Sequence, residues 1–93
     1  MHFYVYLLIS YEGHHYTGQT TDVSRRLAEH NAGMCHSTKH GYDWTLLLIE
    51  EFETRSSAVR RERWLKSLDG RIWIKENIPG WMSAHRGVES ESE

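Results

Sequence analysis

The stretch from Phe3 to Thr20, FYVYLLISYEGHHYTGQT, constrains the fold more than any other part of the chain. Phe3 to Ile9 is aromatic, branched or leucine throughout and fits no helical period, which predicts a strand. Its odd positions Phe3, Val5, Leu7 and Ile9 make an apolar face for a core. Tyr4, Tyr6, Leu8 and Ser10 make a mixed face that is expected to meet water or a substrate. Tyr11-Glu12-Gly13 is a turn sequence, and His14 to Thr20 reads as the returning strand. With a three-residue loop and Gly13 in the left-handed region, Ser10 faces His14, Leu8 faces Tyr16 and Tyr6 faces Gly18. Tyr6 and Tyr16 are then diagonal neighbours on one face, about 7 to 8 Å apart. A two-residue loop would put them on opposite faces, because a one-residue slip reverses every side chain.

The rest of the chain must fit around that hairpin. Asp22 or Thr21 supplies an N-cap for a helix from Val23 to Ala32 that Gly33 closes, with Arg26 and His30 on the rim of its apolar stripe beside Val23 and Leu27. Met34 to Tyr42, MCHSTKHGY, has no period and reads as a loop whose Ser37, Thr38, Lys39 and His40 can all reach phosphate oxygens. Trp44 to Phe52 is a third strand, and its nearly unbroken apolar run predicts a central or well-covered place in the sheet. Thr54 to Ser56 caps a second helix to about Leu68, with Ala58, Glu62 and Leu65 on one face. Arg71 to Ile78 reads as a short third helix after Asp69-Gly70, ended by Pro79-Gly80. The expected fold is α/β (α+β), a three-stranded antiparallel sheet flanked by two main helices and a short third.

A chain of 93 residues builds one small core and not two, so residues 1–80 form a single domain and the acidic segment 83–93 is expected to be a disordered tail. Cys35 is the only cysteine, which excludes a disulfide framework and a thiolate zinc site. The formal net charge of -2 weighs little against a nucleic-acid partner. Three of the 13 acids, Glu89, Glu91 and Glu93, lie in the tail, leaving 11 basic against 10 acidic groups before it, a net of +1. No apolar run suits a membrane span and no cleavable leader precedes the hairpin, so the expectation is a soluble cytoplasmic protein without a membrane partner.

Glu62 is the anomaly, a carboxylate in the middle of a helix face that should be buried. Unpartnered, it would cost several kcal/mol, so it calls for a cation, a hydrogen-bond network or a cleft. The tripeptides Tyr4-Val5-Tyr6 and Tyr16-Thr17-Gly18, Arg26 in the RRLxEHN run, and Glu62 in an AxxxExxxK arrangement resemble the GIY-YIG nuclease family over residues 2–78. The similarity is to its small stand-alone members, in which the nuclease domain is nearly the whole protein. The resemblance implies a metal-dependent endonuclease that hydrolyses DNA phosphodiester bonds, in single-stranded or branched DNA, with RNA left open. It implies Glu62 as the protein ligand of Mg²⁺ or Mn²⁺, Arg26 on the scissile phosphate, Tyr16 or Tyr6 on the attacking water, and His30 orienting that water or relaying a proton. Lys39, Lys66 and Asn77 are further candidates for contacts to nucleic acid, and targeting would fall to a partner protein.

Two departures from the family pattern bear on chemistry. The first tripeptide has Tyr4 and Val5 in place of glycine and isoleucine, which leaves Tyr6 intact. Gln19 stands where some members have a lysine, and a phenol titrating near 10 is a poor base at pH 7 without nearby positive charge from Arg26, Lys66 or a metal. That substitution motivates the alternative of a nucleic-acid-binding module with weak or no turnover. A plainer alternative is an interaction domain in which Glu62 is paired by Arg26 or Lys66. Taken singly, the strand tyrosines and the four tryptophans read as packing residues, and Arg25, Arg60, Arg61 and Arg63 as a solvated face.

Overall fold

The strand from Phe3 to Ile9 (β1) runs down the middle of the sheet and is buried on both sides from Val5 to Ile9. The structure, a computed structural model, describes residues 2–39 and 41–81. After β1 come β2 (His15–Thr20), α1 (Val23–Asn31), a single 3₁₀ turn (His36–Thr38), β3 (Thr45–Phe52), α2 (Arg55–Lys66) and α3 (Leu68–Asn77). The sheet is antiparallel in the order β2-β1-β3, so the α/β fold and its three-stranded sheet are as expected. His40 and the acidic segment 83–93 lie outside the described residues. Among the described residues, no helix is long and apolar enough to cross a membrane.

Each face of β1 has its own cover. Val5 and Leu7 pack with Ala58 and Leu65 of α2 and Ile74 of α3. Tyr6 and Leu8 pack with Trp44, Leu27 of α1 and Leu46. The second face was expected to meet water or substrate, and instead α1 and the segment after it close over Tyr6 and Leu8. β3 differs from expectation too, since it is an edge strand with Ile49 exposed. The reason is a bulge. Leu7 pairs with Leu48 but Leu8 pairs with Leu46, so Leu47 is the extra residue. Leu46 joins the α1 cluster while Leu47 and Leu48 both join the α2–α3 cluster. A local bulge thus produces the apolar run that a two-sided central strand would also show.

α3 begins three residues before its expected start. Ser67 caps it by accepting a hydrogen bond from the Gly70 amide, and Gly70 lies inside the helix. Its position is set by a close crossing: a Cβ there would sit 2.6 Å from Leu65 Cα and closer still to the Trp64 carbonyl oxygen. Gly70→Ala gains about 1 kcal/mol of helix propensity but forces two backbones apart at about 3 kcal/mol. The clash wins, and a drop in Tm of about 10 °C is expected in a thermal melt. An unchanged Tm would show that the crossing yields.

One arginine of the expected solvated face is otherwise engaged. Arg61 donates from Nε and Nη2 to the two carboxylate oxygens of Glu50 at 2.7 and 2.9 Å. Its guanidinium also lies 4.8 Å from the ring centres of both Trp64 and Trp73. This bidentate pair with two cation–π contacts ties α2 to β3 and α3.

Candidate active site

The hairpin has the register that brings its tyrosines together. Tyr6 pairs with Gly18 and Leu8 with Tyr16. The Ser10 amide donates to the His14 carbonyl at 2.9 Å across a three-residue loop, and Gly13 has φ 99, a conformation that favours glycine. The Tyr6 and Tyr16 ring centroids are 6.0 Å apart. Gly18 makes the space: a Cβ at this position would lie 2.7 Å from Tyr16 Cε2 and 2.8 Å from the Tyr6 hydroxyl.

α1 delivers Arg26 and His30 onto the same face. Asp22 caps the helix by accepting from the Arg25 amide at 3.0 Å. One turn before His30, Arg26 Nη1 donates to Glu29 Oε1 at 2.8 Å, and its charge acts on the Tyr6 phenol. His30 is 1% exposed. Its Nε2 lies 2.8 Å from the Tyr6 hydroxyl and its Nδ1 lies 2.7 Å from Thr38 Oγ1. Thr38 Oγ1 in turn donates to the Cys35 carbonyl at 3.5 Å. That last contact fixes the sense of the chain: Nδ1–H donates to Thr38, and the unprotonated Nε2 accepts from Tyr6.

The electrostatics agree with this assignment. Burial, then the charge of Arg26, lowers the His30 pKa, which favours the neutral ring. Burial, then the facing Tyr16, pushes the Tyr6 phenol well above its ordinary value, so it stays protonated as a donor. Tyr6 was open to the role of base, and a phenol 1% exposed with its proton committed to His30 is unsuited to it. Tyr16 differs. It is half-buried, its ring centroid is 4.7 Å from that of His30, and its hydroxyl has no hydrogen-bond partner among the described residues.

Thr38 is the residue that sequence reasoning misplaced. As a loop hydroxyl it could reach a phosphate oxygen, yet it is 1% exposed and its hydroxyl is engaged with His30. The Trp44 indole donates to the Thr38 carbonyl at 3.2 Å, and Asn31 accepts from the Trp44 amide at 2.6 Å and donates to its carbonyl at 3.2 Å. Trp44 thereby pins the 3₁₀ turn under α1.

Glu62 lies in the other layer, on α2. Its side chain is 18% exposed and accepts from Lys66 Nζ at 2.7 Å. Lys66 lines a cleft between β2 and the α2–α3 corner that also includes Tyr16 and Thr17, so the ion pair borders the Tyr16 edge of the sheet. The structure thus brings Tyr6, Tyr16, Arg26 and His30 into one cluster, with Glu62 outside it and paired to Lys66 on the cleft that Tyr16 also borders. Lys39 is exposed after the 3₁₀ turn. The Asn77 amide donates to the Trp73 carbonyl of its own helix at 2.9 Å, which ties it to the C-terminus of α3.

The neutral state of His30 makes stability depend on pH. Its folded pKa lies below the ordinary 6.5, so the contribution is complete above that value. As pH falls from 6.5, the unfolded chain takes up the proton first and stability drops, by at most about 1.4 kcal/mol per pH unit for one group. Urea midpoints at pH 7.5, 6.5 and 5.5 should fall in that order, and His30→Gln should flatten the acid limb. A slope unchanged by His30→Gln would assign it elsewhere.

Comparison with known proteins supports the same domain. A family model described as the GIY-YIG catalytic domain matches residues 2–77. A UPF0213 protein of Halobacterium salinarum is 46% identical over 66 residues, spanning 70% of this chain and 86% of that protein. A UPF0213 protein of Listeria welshimeri is 46% identical over 68 residues, spanning 72% of this chain and 74% of its own. The solution NMR structure of the UPF0213 protein BH0048 from Bacillus halodurans shares the fold with a TM-score of 0.51 at 27% identity, over 95% of this chain and 94% of that one. The match runs from β1 to the end of α3, both tripeptides, the Arg26 helix and the Glu62 helix included, and the chain therefore belongs to the GIY-YIG nuclease family.

Proposed function

We propose that this protein is an endonuclease that hydrolyses DNA phosphodiester bonds with a divalent metal ion. The observation that carries the reading is the contrast between the two tyrosines. Tyr6 is sealed and saturated, whereas Tyr16 presents a half-buried hydroxyl with no partner among the described residues, beside a rigid network that contains an arginine. A rigid hydrogen-bonded support under a free phenol is what positioning a water for attack requires.

The donor chemistry narrows the metal. Among the described residues, no group of three or more His, Cys, Asp or Glu side chains could hold an ion. A cage of zinc type is therefore excluded from that region, while a single accessible carboxylate fits Mg²⁺ or Mn²⁺, which keep several waters and take oxygens from substrate. Glu62 would hold the ion, whose chemistry when bound is Lewis-acid stabilisation of the leaving oxygen. Arg26, anchored by Glu29, binds the scissile phosphate with its planar fork and offsets the charge that develops there. Tyr16 orients the attacking water through its hydroxyl. Tyr6 and neutral His30 hold Arg26 and the Tyr16 ring in place. Substrate entry, conversely, has to come from the β2 edge, since α1 closes the sheet face above Tyr6.

A second reading, a nucleic-acid-binding module with little turnover, is favoured by one observation. Gln19 Oε1 is buried without a hydrogen-bond partner among the described residues, in a position where a lysine would bring a cation. One assay separates the two. DNA in single-stranded, duplex and branched forms is incubated with protein and Mg²⁺, Mn²⁺ or EDTA, beside Glu62→Gln. Metal-dependent cleavage lost in Glu62→Gln supports the nuclease, and binding without cleavage under every metal supports the module.

A further inference from the structure

The cleft between β2 and the α2–α3 corner has a volume of about 210 Å³ and a composition that the catalytic cluster does not account for. Its floor is apolar, with Leu65 and Ile74 at 1% exposure each. Its rim is cationic, with Lys66 and Arg71, and one wall is aromatic. That wall is built, not incidental: the His15 ring stacks on Trp81 at 3.5 Å between centroids, and His15 Nε2 donates to the Trp81 carbonyl at 2.7 Å. The contact joins β2 to the chain beyond α3 and holds the indole against the cleft. Arg71 donates from Nε to the Lys66 carbonyl at 3.2 Å, and its two terminal nitrogens make no hydrogen bond among the described residues.

We propose that this cleft is a nucleotide subsite, which takes one unpaired nucleotide of the bound strand beside the scissile phosphate. The inference rests on the nuclease reading above and names where the neighbouring part of its substrate is held. An apolar floor with an aromatic wall suits a flat base, which stacks without regard to sequence. Arg71 and Lys66 suit its phosphate. The cleft is bounded by β2 on one side and by α2 and α3 on the other, so a base reaches its apolar floor only when it is turned out of a duplex. Tyr16 also borders this cleft, which places the held nucleotide at the β2 edge, while the Tyr16 ring itself lies with Tyr6 and His30. The pair Lys66–Glu62 is shared with the candidate metal ligand, so Arg71 is the cation that reports on the cleft alone.

The test is binding of a ten-nucleotide single strand in EDTA, by fluorescence anisotropy at several salt concentrations. Arg71→Gln, an exposed change that leaves the core untouched, should weaken affinity three- to tenfold and reduce the salt slope by about 0.7. In Mg²⁺ it should raise KM by the same factor with kcat unchanged. Trp81→Leu should weaken binding with no change in salt slope, and a far-ultraviolet spectrum matching wild type confirms that it folds. A deoxynucleoside monophosphate should shift the amide resonances of Thr17 and Arg71 and the Trp81 indole in a heteronuclear NMR titration. Affinity within twofold of wild type for Arg71→Gln, or resonance shifts confined to other surfaces, overturns the subsite. Cleavage with an unaffected Arg71→Gln leaves the nuclease standing and removes the subsite; binding lost in Arg71→Gln without any wild-type cleavage does the reverse.

Discussion

Tyr16→Phe is expected to lower kcat for DNA cleavage by about 10³-fold while leaving the fold intact, because it removes one hydroxyl that no described residue uses. The matched change Tyr6→Phe should behave in the opposite way. It deletes the donor to His30 Nε2 and leaves a buried acceptor empty, at a cost of about 1 to 2 kcal/mol in stability. Its effect on rate is indirect, through the placement of Arg26 and the Tyr16 ring, and should be about tenfold. Chemical denaturation and single-turnover kinetics on both variants separate the roles. The assignment fails if Tyr6→Phe is the slower enzyme at full stability, since the base would then be the buried phenol.

The opening hairpin was legible in the sequence because its register depends on a local feature. Gly13 sits where a three-residue loop needs a left-handed residue, and that single placement decides which face Tyr6 and Tyr16 share. The N-caps Asp22 and Thr54 were legible for the same reason, each a short polar side chain answering the amide three residues ahead. What the sequence hid was set by contacts between distant elements. The Leu46-Leu47-Leu48 run reads as a central strand, and only pairing with β1 shows that a bulge sends two consecutive leucines to one side. Asp69-Gly70 reads as a break, because glycine marks both turns and close crossings, and here the crossing of α3 over α2 is the reason.

The site followed the same division. Tyr6 and Tyr16 could be placed on one hairpin face from the register and Arg26 and His30 on one rim of α1 from the helix period, and only the family resemblance joined the two pairs. The burial of Tyr6 could not be read, since it depends on how α1 and the aperiodic segment after it dock on the sheet. Thr38 looked like a solvent-facing hydroxyl in a polar loop. A signal was present in Trp44, whose indole needs an acceptor when buried and finds it in the Thr38 carbonyl, pulling that loop under α1. Glu62 was recognisable as a carboxylate out of place, but its i,i+4 partner Lys66 supplied the cation that its position demanded.

That ion pair makes Glu62→Gln the sharpest probe of the metal reading. Glutamine keeps the volume and the capacity to accept from Lys66, and a helix-surface pair is worth about 0.3 to 0.5 kcal/mol, so stability should scarcely change. The loss of charge bears on the metal instead. If Glu62 anchors a hard divalent ion, the variant removes that anchor, and Mn²⁺ binding by calorimetry should fall below detection. Lewis-acid stabilisation worth several kcal/mol corresponds to about 10³-fold or more in rate, so cleavage should drop to the level seen in EDTA. Lys66→Met tests the pair from its other side. If the lysine competes with the ion for Glu62, its removal should tighten Mn²⁺ binding several-fold even where DNA affinity weakens. Glu62→Gln that cleaves at the wild-type rate in Mg²⁺, or Mn²⁺ affinity that survives it, would place the metal elsewhere and return Glu62 and Lys66 to a structural ion pair.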